Sequence, residues 1–201
     1  MTTPENIPNS LEGLLGALNG VFSELTAYES VSGHLYDQEA RTLQFLAAGK
    51  TVLDIGTHHG RSAVAMAATA KRVVTVDNYL GDSQIRAPDI RETLENISRS
   101  GLGDKITPVV ADWTKWIAGP VDLEAYDMLF YDAGHTFPIY EKHFLALCDD
   151  FTGIIALHDY KTWDDDMRFV VEAVDDFDRA TGRKRQGPLP KCSVVWFNPV
   201  Q

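Results

Sequence analysis

Val52-Leu53-Asp54-Ile55-Gly56-Thr57-His58-His59-Gly60-Arg61-Ser62 decides how this chain folds. Thr51 to Ile55 is a short apolar run, which marks a buried strand. The alanine-rich stretch from Gly60 to Ala70 reads as a helix. The glycines lie where the strand becomes the helix. Glycine there lets the backbone turn tightly and approach a ligand closely, and the helix N-terminus behind it offers free N–H groups. The spacing is Asp-x-Gly-x-x-x-Gly, not the Gly-x-Gly-x-x-Gly of dinucleotide binders. A pyrophosphate needs the second of those glycines for close approach, and position 58 is a histidine. A ligand with one ribose and a small aminoacid tail fits better, its ammonium drawn to the charge of Asp54.

Outward from this run, strands and helices alternate. Strands are expected at Arg72–Val76, Ile106–Val110, Tyr126–Tyr131, Gly153–Leu157 and Ser193–Phe197. Between them lie helices marked by Ile90, Leu94 and Ile97, by Asp112–Ile117, by Ile139–Cys148, and by Met167, Val170, Val171, Val174 and Phe177. Such alternation argues for a parallel sheet covered on both faces. The Gly-Pro-Leu-Pro turn at 187–190 leads into the last strand without a crossover helix, so that strand pairs antiparallel at or near an edge. Upstream, Leu11, Leu14, Leu15, Leu18, Phe22 and Leu25 share one helix face, with Ser10 as N-cap, and a second helix runs from Asp37 to Ala48. Residues 10–48 are thus a helical segment that packs on, or caps, a single domain spanning 1–201. The first helix reads foremost as packing on the domain; the sharper readings are a lid over the site or a homodimer contact.

Three acids stand at successive strand ends. Asp77 closes the second strand, where a carboxylate can accept hydrogen bonds from both ribose hydroxyls. Asp112 closes the third, placed for an adenine amino group or simply to cap the next helix. Trp113 beside it offers a ring face. One such acid is weak evidence; three at the strand C-termini, where ligands sit in these sheets, are stronger.

The run Leu53 to Ser62, with Asp77 and Asp112, resembles the class I S-adenosylmethionine-dependent methyltransferases, over roughly residues 35 to 197. It looks closest to the small-molecule O-methyltransferase branch that includes the macrocin and catechol types; the cephalosporin hydroxylase-like proteins share that sheet. The resemblance implies an α/β fold, a Rossmann-like three-layer sandwich whose seven-stranded sheet is mostly parallel with an antiparallel strand near the C-terminus. It implies that Gly56, Thr57, Gly60 and Ser62, with Asp54 close by, line the aminoacid end of S-adenosylmethionine. Asp77 would hold the ribose, Asp112 and Trp113 the adenine, and Asp132 would face the cofactor as well as the chemistry.

Two further strand ends carry that chemistry: Asp132-Ala133-Gly134-His135 after the fourth and His158-Asp159-Tyr160 after the fifth. In a parallel sheet these ends are neighbours, so Asp132, His135, His158 and Asp159 are the expected catalytic group. Two mechanisms stay open. In one, Asp132, His158 and Asp159 hold a divalent cation that lowers the pKa of an acceptor hydroxyl. Mg²⁺ prefers oxygen ligands, and metal-dependent O-methyltransferases resemble this with acids at Asp132 and Asp159; His158 departs from their pattern and favours Mn²⁺, Fe²⁺ or Zn²⁺. In the other, His135 or His158 is a general base without metal. Tyr160 and Trp163 are candidates for the acceptor pocket, and His34 for covering the cofactor. His58 and His59 contribute through their backbones. Asp164-Asp165-Asp166 reads as a helix start favoured by the macrodipole rather than a metal site.

Composition bounds the partners. The 201 residues carry a formal net charge of −11, and so acidic a surface repels phosphate backbones, which argues against nucleic acid. The basic cluster Arg183-Lys184-Arg185 reads as a solvated turn. Cys148 and Cys192 make neither a disulfide framework nor a metal knuckle, and Cys148 reads as a buried thiol. A polar N-terminus and the lack of a membrane-length apolar stretch predict a soluble, cytoplasmic protein. The expected function is methyl transfer to oxygen of a small-molecule acceptor. The rivals are N-methylation, a hydroxylase-like protein of the same sheet, for which no clear iron triad is visible, and a non-catalytic S-adenosylmethionine binder.

Overall fold

Alternation along the strands separates two cores. In β1 (Thr51–Ile55), Val52 packs on one face of the sheet and Leu53 and Ile55 on the other. β2 (Arg72–Asp77) divides Val73 from Val74 and Val76 in the same way. So does β4 (Met128–Tyr131), with Met128 and Phe130 opposite Leu129 and Tyr131. β5 (Ile154–Leu157) sets Ile154 and Ala156 against Ile155 and Leu157. This is the period-2 pattern of a strand buried on both faces. The computed structural model describes residues 26–81, 86, 88–133, 147–148 and 150–200. The helix expected between residues 10 and 25, and His135, fall outside the described residues.

The first face is covered by α1 (Asp37–Ala47) and α2 (Arg61–Ala67). α2 buries Ala63, Val64, Ala65, Met66 and Ala67, and its three alanines let the helix lie close on the sheet. The second face is covered by α5 (Arg168–Thr181), which buries Val170, Ala173, Val174 and Phe177. Between these lie α3 (Ile90–Arg99), β3 (Ile106–Val110) and the short α4 (Trp113–Ile117). Of the helix expected over Ile139–Cys148, Leu147 and Cys148 are described, both helical and buried.

The sheet has seven strands in the order β3-β2-β1-β4-β5, then β7 (Val195–Phe197) and β6 (Arg185–Gln186) at the edge. β1 through β5 pair in parallel, while β7 pairs antiparallel with both β5 and β6. The expected fold class is therefore the observed one. β6 went unread, because two residues are too few for a periodic signal. The solvated-turn reading of Arg183 is corrected. Its guanidinium donates to the carbonyls of Phe151 (2.8 Å), Gly153 (2.6 Å) and Asn198 (2.7 Å), tying the chain end to the start of β5. Arg185 pairs with Asp175 on α5. The acidic run behaves as expected: Asp164 caps a 3-10 turn at Asp165–Met167 that feeds α5, accepting from the Asp166 N–H at 3.0 Å.

Candidate functional site

A cavity of about 670 Å³ opens at the C-terminal ends of the five parallel strands. Gly56, Thr57, Ser62, Asp77, Asp112, Trp113, Asp132, His158 and Asp159 all line it, as does His34. The backbone brings them together. The Gly56 N–H continues the ladder to Val76 O (3.0 Å), Asp132 N–H to Ile55 O (2.9 Å) and His158 N–H to Tyr131 O (3.2 Å). The residue after each strand is thereby held beside its neighbours.

At the glycine loop, Gly56 has φ +104, and a Cβ there would sit 2.0 Å from the Asp132 carbonyl oxygen. The bare α-carbon makes room for the end of β4. Gly60 has φ +87, caps α2, and meets only Ile97 and Thr93 at 3.5 Å, so its conformation alone demands glycine. Gly60 does not line the cavity, and neither does Asp54. Asp54 is fully buried under the loop, where its Oδ2 accepts from Thr75 Oγ1 (2.8 Å) and Ser62 Oγ (3.3 Å). Thr75's proton is used there, so the Thr57 hydroxyl donates to Thr75 Oγ1 at 2.6 Å. Asp54 Oδ1 has no hydrogen-bond partner. Burial, aided by the nearby charges of Asp132 and Asp77, pushes its carboxyl up to about 8. Asp54, expected to draw the ligand's ammonium by its charge, lies outside the cavity lining and braces the loop from behind, because the strand alternation turns it toward the helix layer.

Asp77 is locked in place. Its Oδ2 accepts from the His58 N–H (2.8 Å) and its Oδ1 from the Tyr79 N–H (2.7 Å). His58 contributes this backbone bond at φ +47. The carbonyl oxygens of His58 and His59 accept from Thr93 (2.6 Å) and Asn96 (3.1 Å), docking α3 on the loop. Asp112 does cap α4, through the Thr114 N–H (3.1 Å) and hydroxyl (2.7 Å), and still faces the cavity. Trp113 is held edge-on to Tyr131, ring centroids 5.3 Å apart.

At the far end, His158 is 6% exposed and surrounded by carboxylates. Its Nδ1 lies 3.3 Å from Asp132 Oδ1 and 3.4 Å from Asp159 Oδ1, and its Nε2 lies 3.1 Å from Glu39 Oε2. Burial alone would lower the imidazole; Asp132, Glu39 and Asp159 overcome it and hold the ring well above its ordinary value. So placed, both ring nitrogens of His158 face carboxylates, Nε2 toward Glu39 and Nδ1 toward Asp132 and Asp159. Asp132, His158 and Asp159 bring one donor atom each to within 4.8 Å of one another. Two carboxylate oxygens and an imidazole nitrogen fit a divalent cation that tolerates mixed donors. A ligating histidine commonly donates its other N–H to a carboxylate, which Glu39 provides.

Sequence reasoning passed over Arg61 and Lys161, which line the cavity, and Glu39, which lies behind His158. Arg61 donates to Leu35 O (2.9 Å) and to Val31 O, fastening the 31–36 segment against the loop. Lys161 Nζ lies 2.5 Å from Asp159 Oδ1. The proposed pocket roles of Tyr160 and Trp163 are corrected. Tyr160 is buried, with its hydroxyl donating to Asp175 at 3.0 Å, and Trp163 stands exposed outside the cavity lining.

A polar cavity at the strand C-termini is where ligands sit in such α/β sheets, and comparison with known proteins gives the family. The sequence profile of a methyltransferase-domain family matches residues 53–160, and the chain belongs to that family, within the class I S-adenosylmethionine-dependent methyltransferases. No curated protein matches the chain in sequence. Solved structures share the fold at low identity. An O-methyltransferase from Bacillus cereus in complex with SAH superposes at TM-score 0.59 and 19% identity, over 96% of this chain and 92% of that one. The SAH-bound Podospora anserina methyltransferase gives 0.58 and 18%, over 97% and 89%. An rRNA methylase from Streptococcus thermophilus gives 0.53 and 16%, over 86% and 100%.

Proposed function

We propose that this methyltransferase moves the methyl group of S-adenosylmethionine to a hydroxyl oxygen of a small-molecule acceptor. The observation that carries the proposal is one cavity with two different ends: the glycine loop, Asp77 and Trp113 at one, Asp132, His158 and Asp159 at the other. In this reading the loop N–H groups and Ser62 receive the aminoacid tail. Asp77, each oxygen already fixed by a backbone N–H, keeps lone pairs for the ribose hydroxyls. Trp113 offers its face to the adenine.

The acceptor hydroxyl would lie at the acidic end. Its oxygen attacks the methyl carbon, the C–S bond breaks, S-adenosylhomocysteine leaves as a neutral thioether, and the hydroxyl proton passes to a carboxylate oxygen of Asp132 or Asp159. Asp132, His158 and Asp159 would hold a divalent cation, which supplies a lowered hydroxyl pKa when bound. Lys161 is the ammonium such a cation competes with at Asp159. The rRNA methylase likeness is one of fold; the net charge of −11 favours a small acceptor over a polynucleotide. Among the described residues the cluster has one histidine and two carboxylates, where an iron facial triad has two histidines and one, which favours methyl transfer over a hydroxylase-like reading.

Asp159→Asn tests the reading. Asp159 sits at φ +61, a conformation asparagine tolerates, so the backbone survives the change. Methyl transfer to a catechol or sugar-hydroxyl panel should fall by about 100-fold or more, with calorimetric S-adenosylmethionine affinity retained. Undiminished turnover in the variant would remove Asp159 from the chemistry. Failure of the wild-type protein to bind S-adenosylmethionine would remove the cofactor assignment itself.

A further inference from the structure

Glu39 is a buried carboxylate delivered to the reaction end by a helix rather than a strand end. It lies in the first turn of α1, is 1% exposed, and stands 119 positions before His158 in sequence. Both its oxygens are fully engaged. Oε1 accepts from the Ser193 N–H (2.8 Å) and hydroxyl (2.6 Å); Oε2 accepts from the Tyr36 N–H (2.9 Å) and faces His158 Nε2 at 3.1 Å. Four contacts on one buried side chain leave it a single orientation. An ionised carboxylate only accepts, so the proton between the two residues belongs to His158 Nε2. The nitrogen left facing the cavity is Nδ1, on the side of Asp132 and Asp159.

We propose that Glu39 is a positioning residue that fixes His158 with Nε2 as hydrogen-bond donor and Nδ1 as the nitrogen presented to a divalent cation. This rests on the reading that Asp132, His158 and Asp159 hold such a cation. A helix cap would need only the Tyr36 N–H; the contacts to Ser193 and His158 exceed what a cap requires. The arrangement also ties His158 to α1, on one face of the sheet, and to the segment entering β7.

Glu39→Gln separates this role from packing. Glutamine keeps the shape and an oxygen for Ser193, but sets an amide N–H₂ where Oε2 met His158 and accepted from the Tyr36 N–H, a lost helix cap that thermal unfolding reads separately. Nε2 then has to accept, which moves the ring proton to Nδ1 and blocks it as a ligand. The probe is Mn²⁺ titration of the full chain by calorimetry, beside S-adenosylmethionine titration and thermal unfolding. Mn²⁺ affinity should drop by about 10- to 100-fold in Glu39→Gln with S-adenosylmethionine affinity unchanged. Ser193→Ala, which loosens Glu39 without changing its partner on the ring, should stay near wild type. Equal Mn²⁺ affinity in Glu39→Gln and wild type overturns the proposal and leaves the metal reading standing. An equal loss in both variants also overturns it, because that is what a packing role produces. If the wild-type protein binds no Mn²⁺, the metal reading falls, and ¹⁵N spectra of the His158 ring decide the orienting role. Loss of the Nε2–H signal in Glu39→Gln upholds it, and an unchanged signal rejects it.

Discussion

Two glycines of one loop do different work. A side chain at Gly56 would collide with the Asp132 carbonyl oxygen, backbone that cannot step aside without moving β4. A side chain at Gly60 meets only the ends of Ile97 and Thr93, so its burden is a left-handed φ. Gly60→Ala should therefore cost about 1 kcal/mol in urea unfolding. Gly56→Ala should cost several times more and abolish S-adenosylmethionine binding. Equal losses for the two would show that the approach of β4 is not what requires glycine. From the sequence, both were legible as loop glycines and neither reason was, since the Asp132 carbonyl arrives from 76 positions away. The same holds for the site as a whole. Gly56, Asp77, Trp113, Asp132, His158 and Asp159 were legible because each sits at a strand end. Glu39 and Lys161 were not, because only the folded chain gives them a partner.

At the scale of elements, the segment ahead of α1 acts as a strap. Ser32, Gly33, His34, Leu35 and Tyr36 form one wall of the cavity, and Arg61 at the start of α2 holds their backbone. The Arg61 guanidinium also lies over the Tyr28 ring, 5.3 Å from its centroid, anchoring the strap at a second point. Arg61→Met keeps the side-chain stem and removes the donors. It should weaken S-adenosylmethionine binding about tenfold, or about 1.4 kcal/mol, with kcat at saturating cofactor little changed. An unaltered Kd would mean the strap closes without Arg61. Among the described residues, the positions of β1 to β5, β7 and the helices between them were readable to within a few residues, since apolar period and caps are local signals. Arg183 was not: its basic neighbours pointed to solvent, while its three carbonyl partners lie in segments remote in sequence.

For the molecule as a whole, stability should carry the mark of Asp54. Its carboxyl is raised from the ordinary range to about 8, so the folded protein keeps a proton that the unfolded chain releases near pH 4. The folded state then binds more protons between those values, and stability falls as pH rises through that window. Asp54→Asn removes this dependence. The variant should gain in Tm over wild type by more at pH 8 than at pH 5, as read by calorimetric unfolding. A constant difference across the window would show that Asp54 is ionised in the fold throughout. Among the described residues no helix is long and apolar enough to cross a membrane.

The sequence by itself determined the sheet apart from β6, its two covered faces and the run of polar residues at its C-terminal edge. Those follow from period and spacing along one stretch of chain, and a parallel sheet converts them directly into a row of neighbours. Only the tertiary structure decided which of these residues line the cavity and which brace it from behind. Asp54 turned inward because β1 alternates, His158 became enclosed because α1 brought Glu39 to it, and Gly56 became irreplaceable because β4 passes within contact of it. Each of those outcomes depends on a distance between segments far apart in sequence, a quantity that no local pattern encodes.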